Sequence, residues 1–215
     1  MKSITLDRES LVHHAEALAQ ADPMMRRALD VGGRPKLWKR PVTFETFIRT
    51  ILEQQVSLSS AWSTHSKLKQ ACPNKRVSPK AVRTLGQDGL RQLGFSRQKA
   101  RYADTLAAEC LAGRFPIRHL ADKEDDQVRE QITSQLGLGD WSADMILMLS
   151  LCRSDVFPVG DLALVNGAVD LGDESLRDRE TLLQRSQDWR PFRSVATRMI
   201  WAYYLQSRKK KIPGT

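Results

Sequence analysis

Asp161 and the glycine turn Gly137-Leu138-Gly139 are the positions from which this sequence could do chemistry. In Asp155-Val156-Phe157-Pro158-Val159-Gly160-Asp161, proline and glycine interrupt the chain and Asp161 opens a predicted helix that runs through Val169. An aspartate there ordinarily only accepts a hydrogen bond from a first-turn amide. An ionised carboxylate at the positive end of a helix can also stabilise developing positive charge or take a proton from water. Upstream, Leu136-Gly137-Leu138-Gly139 makes a tight turn between two amphipathic segments. Such a turn uncovers backbone N–H groups where the helix dipole attracts anions, so a phosphate could dock on it. A plain helix–helix turn that needs glycine only for positive φ is the other reading.

A second group of polar residues interrupts an apolar stripe. Thr43 is a suitable N-cap for a helix whose Phe44, Phe47, Ile48, Ile51 and Leu52 fall at three- and four-residue steps. The next residue on that face is Gln55, preceded by Gln54 and followed by Val56-Ser57. The glutamines either cap the helix end or face water, and Ser57 is placed to cap a new helix through Ala61, Trp62 and Leu68. Trp141 and Trp201 lie within helical stretches, where tryptophan usually fills core. Trp38, Phe44 and Tyr102 are further aromatic candidates for any stacking site.

The elements that must position these residues are predicted to be helices almost throughout, because no run alternates between turn residues as a strand does. Helices are expected over about Arg8 to Ala19, Met24 to Leu29 and from Thr43. A short one opens at Ser78-Pro79, and Asp88 to Leu93 leads into the stop and new cap Gly94-Phe95-Ser96. Others cover about Arg97 to Ala112, Asp125 to Ser134, Trp141 to Leu151 and Pro191 to Gln206. The sequence shows no internal repeat.

Five blocks occur in order: Phe44 to Ala61, Leu93-Gly94-Phe95-Ser96 with Lys99-Ala100, Leu136 to Ala143, Val156 to Leu162, and Trp189-Arg190-Pro191-Phe192-Arg193 with Trp201. Together they resemble the helix-hairpin-helix DNA glycosylase superfamily, and within it the 3-methyladenine DNA glycosylase II branch, from about Asp22 to Tyr203. The resemblance implies an all-α fold of two helical subdomains with a central cleft and a helix-hairpin-helix DNA-binding motif. Residues 1–215 would form a single compact glycosylase unit. One subdomain would cover about 35–150 and the other about 1–34 plus 151–215.

It also implies the chemistry. Such enzymes flip a damaged nucleotide out of the duplex, since the sugar–base bond cannot be approached inside the stack, and hydrolyse its N-glycosidic bond. Asp161 matches the catalytic aspartate. Gly137, Leu138 and Gly139 match the hairpin that holds the phosphate backbone through main-chain amides, often with a monovalent cation on its carbonyls. Trp141 and Trp201 match aromatic positions of the base pocket, where a cationic methylated purine gains about 0.5–2 kcal/mol from a ring face. Trp141 also stands where strand-cleaving members carry a lysine nucleophile, which implies no lyase activity. Gln54 and Gln55, with Ser57 after them, match the segment that enters the gap left by the flipped nucleotide. Two departures stand out. Asp140 and Asp144 put negative charge beside the presumed grip, with Asp140 expected to cap its helix. The chain also looks too short for the N-terminal β-rich domain of larger relatives.

Composition limits the alternatives. The 215 residues carry 34 Lys+Arg against 25 Asp+Glu, a net charge of +9. Setting aside Arg208-Lys209-Lys210-Lys211 leaves +5, a modest excess that favours a polyanionic partner. No stretch approaches the roughly 18 consecutive apolar residues of a membrane helix, and the N-terminus has no hydrophobic signal core. A protein without membrane association is expected, cytoplasmic and nucleoid-associated if bacterial, nuclear if eukaryotic. Cys72, Cys110 and Cys152 lie far apart and read as buried apolar thiols, while His13, His14, His65 and His119 lack ligand spacing, so no side-chain metal site and no cofactor are expected. The expected activity is excision of alkylated purines, 3-methyladenine and with it 7-methylguanine, from double-stranded DNA by a monomer. The alternative is a non-catalytic helix-hairpin-helix DNA- or damage-binding protein, which has no use for a carboxylate at Asp161.

Overall fold

Side-chain caps open most of the helices, each adding about 1 kcal/mol to the end it closes. The computed structural model describes residues 3–209. Asp7 accepts the Ser10 amide at 2.8 Å to start α1 (Arg8–Ala21), and Asp22 accepts that of Met24 at 2.8 Å to start α2 (Pro23–Gly32). Thr43, Ser57, Ser78 and Ser96 do the same for α3 (Phe44–Glu53), α4 (Leu58–Ala71), α5 (Pro79–Gln92) and α6 (Arg97–Leu111). Then follow α7 (Asp125–Thr133), α8 (Asp140–Met145), α9 (Leu162–Leu171), α10 (Arg179–Ser186) and α11 (Arg193–Ser207). The fold is all-α, and the described residues contain no strand, only a lone bridge between Thr5 and Arg153.

Several elements differ from expectation. The two short segments predicted around Ser78 and Asp88 form one span, α5, kinked where Gly86 takes φ 62°. The helix expected to run from Trp141 to Leu151 is shorter, because after Met145 the backbone widens into a π turn over Ile146–Ser150. Helix α10 has no counterpart in the expectation. Its sequence, RETLLQRS, is too polar to display a stripe, and Asp178 supplies its cap by accepting from Thr181.

The chain divides into two compact units at 39/40 and 146/147. One unit contains α1, α2, α9, α10 and α11 around a core of Leu11, Met25, Leu164, Ala168, Trp189, Met199 and Ile200. Trp189 is fully buried, and its Nε1 donates to Asp22 Oδ2 at 2.7 Å, so the motif tryptophan is a core anchor. Helices α9 and α11 approach closely through Gly167, where an added Cβ would come within 2.7 Å of the Ile200 side chain. The other unit contains α3 to α8, with α3 against α4, α6 and α8, and Phe47 meeting Phe115 edge to face at 5.2 Å.

Cys72 and Cys152 are buried and Cys110 half-buried; burial pushes the Cys110 thiol up to about 11, as expected of inert apolar thiols. No helix among the described residues is long and apolar enough to cross a membrane. Of the basic C-terminal run, Lys210 and Lys211 lie outside the described residues.

Candidate functional site

Asp161 is held from two directions by the same oxygen. Its Oδ1 accepts the Leu164 amide at 2.9 Å, the cap bond of α9, and the indole Nε1–H of Trp201 at 2.9 Å. Capping explains the first bond but not the second. Trp201 projects from α11, and the close α9–α11 approach through Gly167 brings its indole to the head of α9. A half-buried carboxylate fixed by two donors suits a group that must face developing positive charge without rotating away.

Trp38 stands beside this pair. Its ring meets that of Trp201 edge to face, with centroids 6.1 Å apart, and its backbone takes φ 48°, a left-handed conformation rare outside glycine. The adjacent Leu37 carbonyl accepts from Arg198 Nε at 3.3 Å. Arg198 is fully buried and also donates to the Ser194 carbonyl at 3.1 Å and the Met148 carbonyl at 2.6 Å. Burial lowers its pKa to about 10, which leaves it charged at neutral pH. Of the three aromatics left undecided by sequence, Trp38 lies at the Asp161 site. Phe44 is buried in the other unit, and Tyr102 lies under the hairpin.

In the second unit, Gly137-Leu138-Gly139 forms the turn between α7 and α8. Gly137 takes φ 83°, and a Cβ there would lie 2.2 Å from the Tyr102 ring, so only glycine fits. Leu138 is buried, and its amide donates to the Gln135 carbonyl at 3.1 Å within the turn. The exposed Gly139 is the N-cap of α8 and brings no capping side chain, so the first-turn amides of α8 keep their anion-binding geometry. Asp140 is the first residue of α8, not its cap as the sequence suggested. The charge of Asp140 and Asp144 is met by Arg129, a residue to which sequence reasoning gave no role. Arg129 lies 2.6 Å from Asp144 and 3.7 Å from Asp140.

The two glutamines have different fates. Gln54 ends α3 and donates from Nε2 to the Gly137 carbonyl at 2.7 Å and to Ser142 Oγ at 3.1 Å. Gln55 is exposed, with φ 55°. Ser57 caps α4 through the Ser60 amide at 3.2 Å. Trp141, second in α8, is half-buried. Lys99 was part of a recognised block but had no assigned role; its Nζ lies on the carbonyls of Leu52 and Gln54 at 2.7 and 2.8 Å. Among the described residues, no group of three or more His, Cys, Asp or Glu could hold a metal ion.

The profile described as "HhH-GPD superfamily base excision DNA repair protein" matches residues 48–191, more than half of the chain. The chain belongs to that superfamily. It is 25% identical over 217 residues to DNA-3-methyladenine glycosylase 1 of Schizosaccharomyces pombe, covering 92% of each. The structure of a 3-methyladenine DNA glycosylase from the same yeast in complex with abasic DNA superposes with TM-score 0.79 at 25% identity, over 88% of this chain and 95% of that one. A DNA-3-methyladenine glycosidase from Bacillus halodurans superposes with TM-score 0.76 at 26% identity, over 97% and 95%. The matched residues 48–191 include both Asp161 and the glycine turn at Gly137 to Gly139.

Proposed function

We propose that this HhH-GPD protein is a monofunctional DNA glycosylase that hydrolyses the N-glycosidic bond of alkylated purines in double-stranded DNA, in the manner of the 3-methyladenine DNA glycosylase II branch. The observation that carries this reading is the Asp161 carboxylate, whose Oδ1 is fixed by the Leu164 amide and the Trp201 indole. As the C1′–N bond breaks, its electrons leave with the base and positive charge develops on the sugar. Asp161 stabilises that charge, and water adds to C1′ and gives up a proton to the carboxylate. A cationic methylated purine is already a good leaving group, so no strong general acid or cofactor is needed.

The family resemblance assigns Trp141 and Trp201 to base stacking, and the Trp201 N–H is committed to Asp161. Trp141 offers no amine for a Schiff base, which supports hydrolysis without strand cleavage. The hairpin at Gly137 to Gly139 and the α8 amides grip the phosphate backbone without reading sequence. Exposed Gln55, ahead of the Ser57 cap, enters the gap left by the flipped nucleotide. The protein acts as a monomer, in the nucleoid if bacterial or the nucleus if eukaryotic.

Single-turnover release of free base from methylated duplex DNA under excess enzyme tests the proposal, with abasic sites read by alkaline cleavage. The wild type should release 3-methyladenine. Asp161→Asn should lose about 10²–10⁴-fold in rate while binding undamaged DNA as well or better. No release by a folded, DNA-binding wild type across a panel of alkylated bases would favour a non-catalytic damage binder. A borohydride-trapped covalent adduct would refute the hydrolytic assignment.

A further inference from the structure

The turn between α3 and α4 is tied to the hairpin before α8 by two side chains that reach for backbone oxygens. Both hydrogens of the Gln54 amide are engaged, one on the Gly137 carbonyl and one on Ser142 Oγ. Gln54 therefore cannot enter DNA without releasing the hairpin. From α6, the Lys99 ammonium sits on the carbonyls of Leu52 and Gln54, the end of α3, where carbonyls lack partners inside the helix and the dipole favours a cation. Burial lowers the Lys99 pKa, and its ammonium is committed to those two carbonyls. One turn further along α6, the Tyr102 ring lies against Gly137 so closely that no side chain fits between them. Helix α6 thus holds the end of α3 and seats the hairpin, and Gln54 bridges the two. Gln55 leaves this anchored frame in a left-handed conformation and points into solvent.

We propose that Gln54 and Lys99 are positioning residues that couple the hairpin's grip on the DNA backbone to the Gln55 wedge, so that docking of the hairpin delivers Gln55 at a fixed point in the stack. This rests on the reading of Gln55 as the residue that enters the gap. Breaking the strut leaves the hairpin to bind DNA but lets the wedge turn drift. A lesion that is stacked and paired then suffers, because extruding it needs the wedge. A lesion with no base opposite suffers less, because part of the unpairing has already been done.

The test uses Gln54→Met, which nearly keeps the side chain's size and adds no charge but cannot donate to the Gly137 carbonyl, and Lys99→Met, which keeps most of the stem without the charge. Each is compared with wild type in single-turnover excision from two duplexes carrying one 7-methylguanine, paired with cytosine in the first and opposite an abasic site in the second. The expected result is about a tenfold loss on the paired duplex, a loss of less than about threefold on the other, and affinity for undamaged duplex within about twofold. Equal losses on both duplexes, no loss, or a parallel fall in affinity for undamaged DNA would each overturn the coupling. If Lys99→Met fails to fold, Gln54→Met decides alone. A wild type that excises from neither duplex and releases no other alkylated base of the panel removes the functional reading, and the coupling with it, whereas an active wild type with indifferent variants removes the coupling only.

Discussion

Replacing Trp201 with phenylalanine isolates one bond of the candidate catalytic centre. The variant keeps an aromatic face beside Trp38 and loses the 2.9 Å indole donor to Asp161 Oδ1. Hydrogen bonds to charged groups contribute about 1.5–3 kcal/mol. The 2.9 Å bond from the Leu164 amide survives and still holds the same oxygen, so the loss belongs at the lower end of that range. About 1.5 kcal/mol corresponds to roughly a tenfold slower chemical step. Single-turnover release of 3-methyladenine under saturating enzyme reads this step directly, with affinity for undamaged duplex and the thermal midpoint measured in parallel. A rate within twofold of wild type at unchanged stability would refute the argument that the indole orients the carboxylate. Trp201→Ala adds loss of the ring face and should slow cationic lesions further, by up to the 0.5–2 kcal/mol of a cation–π contact.

Three other perturbations separate the remaining parts. Gly137→Ala forces a Cβ into the Tyr102 ring at a left-handed φ, so affinity for duplex DNA should fall at least about tenfold while helical circular dichroism persists; unchanged affinity would remove the hairpin from the DNA interface. Asp140→Asn deletes an exposed negative charge from the first turn of α8, and should tighten DNA binding several-fold at low salt, an advantage that vanishes at high salt. Asp22 is the acid-sensitive anchor of the α1, α2, α9–α11 unit. Burial raises its pKa, but donors from Trp189, Arg185 and the Met24 amide prevail and hold it below the ordinary carboxylate range. Its stabilisation is therefore complete above about pH 4 and disappears as pH falls through the lower folded value. Asp22→Ala should cost about 2–3 kcal/mol at neutral pH, a drop of roughly 4–12 °C in thermal midpoint for a chain of this length, and should flatten the acid limb of the stability curve measured by calorimetry.

How much of this could be read beforehand follows from the kind of interaction involved. The caps at Thr43, Ser57 and Ser96 were legible because capping is local: a hydroxyl needs only the amide three residues on. The stripe through Phe47, Ile48 and Ile51 was legible because helical periodicity is also local, and all three are buried. Gly137 stood out as a turn glycine, but the ring that makes it obligatory, Tyr102, comes 35 residues earlier. Lys99 reads in sequence as one more basic residue among 34. Its role as the cap of another helix depends on α3 and α6 packing together, which no spacing within α6 reveals. The Trp201 donor to Asp161 spans 40 residues and exists only because Gly167 lets α9 and α11 approach. Helix α10 escaped notice because its eight residues carry too little apolar patterning.

The acidic pair near the hairpin shows why sequence proximity misjudges electrostatics. Asp140 and Asp144 are one turn apart, and in sequence both oppose a phosphate grip. In the folded protein they are unlike: the Asp144 side chain is 9% exposed and lies 2.6 Å from Arg129, whereas that of Asp140 is 73% exposed and 3.7 Å from the same guanidinium. A buried carboxylate matched by a cation at hydrogen-bonding distance contributes little field at a phosphate, and removing it would leave Arg129 without its close partner. Asp140 alone remains to repel DNA, partly offset by Arg129 and screened by solvent. On the proposed role of the hairpin, its attraction for a phosphate comes chiefly from main-chain amides at the head of α8, whose dipoles need no counter-charge. A grip built on amides rather than lysines holds every sequence alike, which is what a protein searching for rare lesions requires of its hold on undamaged DNA.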